Sequence, residues 1–454
     1  MEPFRYHVFI CDQKKPEGVP GCIASGSGKV IEALRNEISR MGLTDTVHVT
    51  TCGSLGLCES GPNMVVYPAG IWYSGISVSD IPELVQSQFI EDKPLERLVR
   101  KDAASLRAEI LSNRKRMVAA VKSREDAGAL PDDLMQQIRS FQESRVLLTA
   151  IELDVFSAVG SGATAAEAAA RLKADVRATE MLLNVLVSMG LLLKANGIFR
   201  NTPVSTRYFV KGSPDDARAA LMHTVNLWER WSTLTDCVRK GTAVDSRGTS
   251  ERGEQWTTAF ISAMHRNALE RAPVVVQAIG IEGIARMLDV GGGSGAYSIA
   301  FARANSRLTA EILDLPAVVR IAQSYIEQAG MSPRIKTRIA DLRTDPLGKD
   351  YDLVFVSAIC HMLSFKENED LVKRCYDALA PNGRLVVQEF FLEEDKTGPM
   401  MAALFSLNML VGTKAGSSYS AAECTAWFNG AGFQNVCHVR LPGPTGLMIG
   451  TKLI

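Results

Sequence analysis

The sequence predicts an α/β protein of several domains, and three patterns carry that reading. A short apolar strand, Ala285–Val290, runs into a glycine turn and a helix, and strands and helices alternate from there onward, as in a doubly wound sheet. Residues 131–210 read helix–helix–helix–hairpin, the order of a winged helix. Near the start, two strand-like runs each empty into a loop that carries cysteine. The 454 residues suffice for two to four domains. The expected boundaries are 1–91 for the first α/β domain, 92–129 for a charged helical linker, 130–278 for the helical domain and 279–454 for the doubly wound one.

The chain has 50 Lys+Arg against 50 Asp+Glu, is 46% hydrophobic and 22% charged, and contains nine cysteines. Such a composition excludes disordered and collagen-like chains. Zero net charge supplies no general attraction to nucleic acid or to an acidic membrane. No run of 18 apolar residues occurs, and Met1-Glu2-Pro3-Phe4-Arg5 lacks the basic-then-apolar order of a signal peptide. The expectation is a cytoplasmic protein with no membrane and no nucleic-acid partner, whose cysteines are not a disulfide framework.

Arg5–Cys11 alternates and is rich in β-branched and aromatic residues, a strand followed by the Pro/Gly loop Lys15–Cys22. Lys29–Met41 carries Val30, Ile31, Leu34 and Ile38 at helical spacing and stops at Gly42. Val47–Cys52 is a second strand, followed by the loop Gly53–Cys58. Asn63–Tyr67 and Ile71–Tyr73 form a hairpin around Pro68-Ala69-Gly70, and Ser79-Asp80 is expected to cap a helix reaching about Phe89. Cys11, Cys22, Cys52 and Cys58 thus fall in, or at the mouths of, loops at strand ends. Thiolates can converge there on one soft metal centre, zinc or an iron–sulfur cluster, and the C-x2-C knuckles of zinc ribbons are absent. Cys237, Cys360, Cys375, Cys424 and Cys437 lie in apolar or helical stretches and read as small buried hydrophobes.

Residues 5–90 resemble the thioredoxin-like [2Fe–2S] ferredoxins. The resemblance rests on C-x10-C in a Pro/Gly loop, then V-T-T-C-G-S-L-G-L-C-E-S-G-P and V-V-Y-P-A-G-I-W-Y. It implies a [2Fe–2S] cluster and a redox partner protein. The family's second pair, G-C-[LM]-G-x-C, has Ser54 at its first position here. Either Cys52 takes that place, being two residues earlier on an extended chain whose alternate residues face one way, or Ser54 ligates through oxygen. Thiolate is the better iron ligand, so the expected metal set is Cys11, Cys22, Cys52 and Cys58.

Asp92–Asp126 is charged and weakly amphipathic and reads as a solvated helical linker. Leu134–Val159 is a long helical pattern. Thr164-Ala165-Ala166-Glu167 is a capping box, Asp175 precedes a helix over Val176–Met189, and Asn196-Gly197 joins two short strands as a hairpin. The presumed recognition helix, RATEMLLNVLVSMG, is nearly bare of the cations that phosphate contacts require, so this winged helix reads as a dimerisation element. Ala219–Ile279 is helical, and its Met222, Trp228, Trp231, Trp256, Phe260 and Met264 read as core.

From Ala285 the strand ends at Asp289-Val290 and turns through Gly291-Gly292-Gly293-Ser294-Gly295 into a helix over Tyr297–Ala304. Leu308–Leu313 is the next strand, ending at Asp314. Arg334–Ile339 follows, ending at Asp341, then Asp352–Val356 leading into Ser357–His361. Leu371–Leu379 is a helix closed by Pro381-Asn382-Gly383, ahead of the strand Arg384–Glu389. Asp289 stands where it would repel a pyrophosphate, and three acids at successive strand ends suit a cationic nucleoside, S-adenosylmethionine (SAM).

Residues 130–454 resemble the SAM-dependent O-methyltransferases of the caffeate and acetylserotonin type, which carry an N-terminal winged-helix dimerisation domain. LDVGGGSG, LDLP, DLVFVSAICH, ALAPNGRLVVQE and AGF occur in the family's order. The resemblance implies a Rossmann-like fold, a homodimer, and transfer of methyl to a small-molecule acceptor, a hydroxyl in the first instance. It implies SAM contacts from Asp289, Gly291, Gly293, Gly295, Asp314, Asp341 and Leu342, with His361 as general base oriented by Glu389. The chain departs from the family at His361-Met362-Leu363, where the pattern is H-D-W, at Ser357, where it has lysine, and at Ser418, where it has a second acid. The competing expectation is an iron–sulfur electron-transfer or redox-sensing protein with a non-catalytic methyltransferase-like domain.

Overall fold

The computed structural model describes residues 3–15, 20–126, 130–245 and 253–453. Pro16–Val19 of the first loop, 127–129 of the expected linker and 246–252 of the expected helical stretch lie outside the described residues. The chain divides into two compact units, Met1–Phe141 and Gln142–Ile454.

In the first unit β1 (Tyr6–Cys11), β2 (Val47–Cys52), β3 (Asn63–Tyr67) and β4 (Ile71–Ser74) form one sheet in the order β2-β1-β3-β4. β1 and β2 are parallel, in register from Tyr6↔Val47 to Cys11↔Cys52, so the helix α1 (Ser27–Arg40) is the crossover they require. β3 runs antiparallel to β1 and β4. α1 buries Val30, Ile31, Leu34 and Ile38, the stripe expected from their spacing, against Val8, Ile10, Met64 and Tyr73. The helix that follows the hairpin, α2 (Ile81–Val85), continues through a wider turn to Ile90. Asp80 stands at its N-cap, and a 3-10 turn over Val78–Asp80 leads into it, capped by Ser77, whose N–H (2.7 Å) and hydroxyl (2.6 Å) both go to the Asp80 carboxylate.

Residues 92–126 do not behave as a solvated linker. Leu95, Leu98 and Val99 pack on the sheet's core, and in α3 (Ala103–Asp126) Leu106 and Asn113 are buried. The Asn113 Nδ2 donates to the Gly56 carbonyl at 2.7 Å, and Arg116 pairs with Glu59 at 3.0 Å, so this helix pins the loop between β2 and Cys58. Residues 106 and 113 are two turns apart on one face, and the charged remainder of the helix hides that narrow stripe from a reading by composition. α4 (Asp132–Arg139) follows.

In the second unit the pattern expected as one helix over 134–159 is broken. α5 (Phe141–Glu152) and α6 (Val155–Val159) are separated at Asp154, which takes φ 59°. α7 (Ala165–Leu172) starts on the Thr164–Glu167 capping box and α8 (Val176–Ser188) on Asp175, whose Oδ1 accepts the Ala178 N–H at 2.8 Å. β5 (Leu192–Ala195) and β6 (Ile198–Asn201) pair across Asn196-Gly197, both at positive φ as such a two-residue turn requires. α9 (Pro203–Phe209), α10 (Arg218–Trp231), α11 (Leu234–Lys240) and α12 (Glu254–Ile279) complete the helical part. On α8, Met181 and Val185, one turn apart on the same face, are exposed, apolar surface of the kind a partner subunit covers.

The remaining chain builds a seven-stranded sheet. β7 (Arg286–Val290), β8 (Thr309–Asp314), β9 (Ile335–Ile339), β10 (Tyr351–Ser357), β11 (Leu379–Glu389), β12 (Gln434–Arg440) and β13 (Gly446–Thr451) lie in the order β12-β13-β11-β10-β7-β8-β9. Only β13 runs against its neighbours. α13 (Ala296–Ala304) and α14 (Pro316–Gln328) cover one face with α12; α15 (Phe365–Ala378) and α17 (Ala421–Ala431) cover the other. α16 (Met400–Gly412) precedes α17. Along β10, Leu353 and Phe355 face the first layer and Val354 and Val356 the second, the period of two that a strand buried on both faces must show.

Replacing Asn113 by alanine leaves the Gly56 carbonyl without its donor, at a cost of about 1–2 kcal/mol. In urea the unfolding midpoint of the variant is expected to fall, with faster amide exchange confined to Gly53–Cys58.

Candidate active site

Strand order reverses between β7 and β10, and in an open parallel sheet that reversal leaves a crevice at the strands' carboxyl ends. β7 carries Asp289 one residue before its end there; it is 1% exposed and receives the Ser298 hydroxyl of α13 at 2.7 Å. A β-carbon on Gly292 would lie 2.6 Å from the Asp289 Cγ, so only glycine lets the turn close over this carboxyl. Burial pushes the Asp289 carboxyl up to about 7; the Ser298 bond opposes that shift and the charge of Asp314 adds to it. Asp314, at the end of β8, accepts the Gly293 N–H at 2.9 Å and the Leu315 N–H at 2.7 Å, and burial pushes it up to about 6.

Of the other expected SAM contacts, Leu342 faces the same turn: its Cδ2 and the Ile359 side chain both lie where a β-carbon of Gly291 would project. Asp341 is engaged locally, its Oδ1 taking the Arg343 N–H and its own N–H going to Asp345. Two residues escaped sequence reading. The His265 Nδ1 lies 2.8 Å from the Ser294 Oγ with its ring stacked on Tyr325 at 3.9 Å, and Ile261, one turn earlier on α12, approaches Gly293. α12 is therefore the outer wall of the glycine turn. These contacts are tertiary, and no local pattern in the sequence announces them.

The loop after β10 carries Cys360–Met362. His361 and Glu389 are each 7% exposed; the Glu389 Oε2 lies 2.8 Å from the His361 Nδ1, and its Oε1 accepts the His361 backbone N–H at 3.3 Å. Phe405 of α16 stands perpendicular to the imidazole at 4.7 Å and packs on Phe390 at 4.4 Å. The opposite wall is the loop 413–420, where a β-carbon on Gly416 would come within 2.3 Å of the His361 carbonyl oxygen. Ser418, at the family's second acid, is buried and donates to the Ala402 carbonyl at 3.1 Å, so it ties this loop to α16. Ser357, at the family's lysine, donates to the Gln388 Oε1 at 3.0 Å. Met222, Trp228, Trp231, Trp256, Phe260 and Met264, expected as core, are all only half buried. Trp256 and Phe260 stack at 5.4 Å and 12° with His223 edge-on to both, and the Trp231 Nε1 donates to the Asn408 Oδ1 of α16 at 3.0 Å.

The four cysteines expected as a metal set separate into smaller groups. The Cys22 sulfur accepts the Asn63 Nδ2 at 3.4 Å, Cys52 is the in-register neighbour of Cys11 on β2, and Cys58 lies 3.3 Å from the Ser54 hydroxyl. Among the described residues no three His, Cys, Asp or Glu side chains come together as metal ligands. As placed, the donors do not fit a four-thiolate site, and the reason is that the strand end holds Cys52 on β2 while the loop carries Ser54 to Cys58. Of the other five cysteines, four are buried as expected and Cys437 is exposed. Among the described residues no helix is long and apolar enough to cross a membrane.

The crevice thus holds one buried and one half-buried carboxyl beside a glycine turn, and a histidine–glutamate pair, an arrangement that suits a SAM-dependent methyltransferase. Residues 231–434 match the O-methyltransferase domain and residues 135–211 the O-methyltransferase dimerisation domain. A 3-hydroxy-5-methyl-1-naphthoate 3-O-methyltransferase of Streptomyces sahachiroi is 35% identical over 319 residues, 68% of this chain and 92% of that protein. Acetylserotonin O-methyltransferase of Gallus gallus is 31% identical, covering 67% and 93%. Among solved structures, PigF with SAH superposes with a TM-score of 0.67 at 27% identity, over 71% of this chain and all of that one. Human N-acetylserotonin methyltransferase in complex with SAM gives 0.63 at 25%, over 71% and 97%. The chain belongs to the O-methyltransferase family: it is a SAM-dependent O-methyltransferase with that family's dimerisation domain, and nothing in these likenesses favours the electron-transfer alternative.

Both carboxyls sit above their ordinary value near 3.9. Their contribution to stability is therefore full below about pH 4 and lost as pH rises through about 6 to 7. A sulfonium held by these carboxyls would offset that loss, and the rise in melting temperature on adding SAM is then expected to be larger at pH 8 than at pH 5.5. In Asp289→Asn the pH dependence flattens and calorimetry finds SAM bound about 10- to 100-fold more weakly, the worth of one charge-assisted contact. His265→Ala is expected to raise the KM for SAM several-fold with kcat little changed, and His265→Gln to restore part of it.

Proposed function

We propose that the chain transfers the SAM methyl group to a hydroxyl on a planar aromatic acceptor, with His361 as general base and Glu389 as its positioning residue. The observation that carries this reading is the His361–Glu389 pair set edge-to-face against Phe405. An Nδ1–H held by a carboxylate fixes the tautomer and leaves the Nε2 lone pair free to take a proton. Methyl transfer from a sulfonium needs little beyond alignment, because the leaving group is already activated. A hydroxyl, however, is a poor nucleophile until its proton leaves, which is the task of the imidazole.

Asp289, Gly291, Gly293, Gly295, Asp314, Asp341 and Leu342 are proposed to hold SAM, with Asp289 and Asp314 ionising as the cation enters. Gly293 supports the fit: apart from Ile261 at 3.9 Å, nothing lies within 4 Å of where a β-carbon would project. The aromatic class of acceptor rests on the Phe390–Phe405 pair and the Trp256–Phe260 stack, and on relatives named for naphthoate and acetylserotonin substrates. We place the enzyme in the cytoplasm as a homodimer. For the first unit we infer a thioredoxin-like domain, supported by a parallel β-α-β followed by an antiparallel hairpin and a helix. A [2Fe–2S] cluster and its redox partner are not part of this proposal, because the donor set does not gather.

His361→Ala is expected to lower kcat about 10²- to 10⁴-fold toward a hydroxynaphthoate acceptor while SAM binding measured by calorimetry stays unchanged. Undiminished turnover in that variant overturns the base role.

A further inference from the structure

The second unit holds a half-buried cation to which methyl transfer gives no task. Arg271 lies on α12, and its guanidinium sits over the Phe390 ring, 5.7 Å from the centroid. Other half-buried arginines around the sheet commit their donors. Arg334 gives them to the Ala302 and Asn305 carbonyls, Arg374 to that of Leu342 and Arg384 to that of Ile279, while Arg338 pairs with Glu311 at 2.8 Å. Among the described residues Arg271 makes neither an ion pair nor a hydrogen bond. A guanidinium half withdrawn from water with no anion beside it has its N–H groups to offer. Its place indicates to what. Phe390 follows Glu389, the group that holds the His361 ring, and packs on Phe405 at 4.4 Å; Phe405 meets the imidazole edge-on at 4.7 Å. Cation and imidazole thus stand at the two ends of one run of aromatic contacts. On α12 itself, Arg271 follows Phe260 and Met264 by eleven and seven residues, a spacing that sets all three on one face, and each is half buried.

We propose that Arg271 determines acceptor specificity by taking a carboxylate of the acceptor, so that the substrates are aromatic hydroxy acids rather than neutral phenols. This deepens, and rests on, the reading of the crevice as an aryl O-methyltransferase site. The planar guanidinium presents two parallel N–H groups, which match the two oxygens of a carboxylate. With the carboxylate held there, the acceptor ring lies along Phe390 and Phe405 and its hydroxyl is brought toward His361. The ring of Phe390 keeps the guanidinium in place from one face and leaves its edge, where the N–H groups project, to the ligand. The anion in turn supplies the counter-charge that Arg271 lacks in the protein, so the contact is charge-assisted on both sides.

The test uses the full chain saturated with S-adenosylhomocysteine, titrated in a calorimeter with 3-hydroxy-1-naphthoate and with its neutral amide, which keeps the same ring and hydroxyl. The acid is expected to bind about 10- to 100-fold more tightly than the amide, the worth of one charge-assisted pair. Arg271→Met is expected to bring that ratio close to one, and Arg271→Lys to keep part of it, since it retains the charge and loses the fork. Affinity for S-adenosylhomocysteine reports whether each variant is folded, and the wild-type ratio needs no variant. A ratio near one in the wild type, an undiminished ratio in Arg271→Met, or binding of neither compound overturns the assignment. The titration involves no methyl transfer, so it separates this assignment from the reading beneath it. Equal binding and equal methylation of acid and amide leave the O-methyltransferase reading standing while the role of Arg271 falls. A full ratio without transfer to either hydroxyl does the reverse.

Discussion

The buried carboxyl of Asp289 is the constraint around which the second unit is organised. A carboxyl sealed from water at the end of a central strand is costly unless something satisfies it. The fold answers with the Ser298 hydroxyl on one side and a turn of bare glycine backbone on the other. Protonation removes the cost, so the same group stabilises the fold at acid pH. In the function proposed above a cationic ligand would remove it near neutrality, where a phosphate would not.

The rest of the crevice is arranged to keep this turn fixed. α12 presses Ile261 and His265 on it from outside, and Ile359 and Leu342 close it from the side of β10. Across the crevice, Glu389 spends both oxygens on His361, one on the ring and one on the backbone, so side chain and main chain are set by a single group at the end of β11. The loop at Gly416 touches the carbonyl of that same residue. The histidine is thus fixed at ring and backbone, as the base role proposed for it would require. Where the family's pattern has charged groups, Ser418 ties its loop to α16 and Ser357 links β10 to β11, each by a neutral hydrogen bond.

What was legible in the sequence was what is local. The glycine turn, the acids closing β7 and β8, the Thr164 capping box and the Asn196-Gly197 hairpin each depend on neighbours within a few residues. His265, Phe405 and Gly416 owe their importance to residues 29, 44 and 55 positions away, and no periodicity reports such a contact. The break at Asp154 was hidden because a non-glycine residue at positive φ interrupts an otherwise unbroken apolar pattern. Residues 92–126 misled in the other direction: their charge is real, but a stripe as narrow as Leu106 and Asn113 is enough to dock a helix.

The cysteines show where grouping in sequence stops being evidence for grouping in space. Two loops at one end of a sheet bring four thiols into the same neighbourhood, yet ligand sets need sulfurs at bonding distances, and a strand fixes its side chains alternately to either face. Cys52 sits on β2 in register with Cys11, and Cys58 follows a loop whose Gly56 and Leu57 carbonyls are anchored by Asn113 and Asn63.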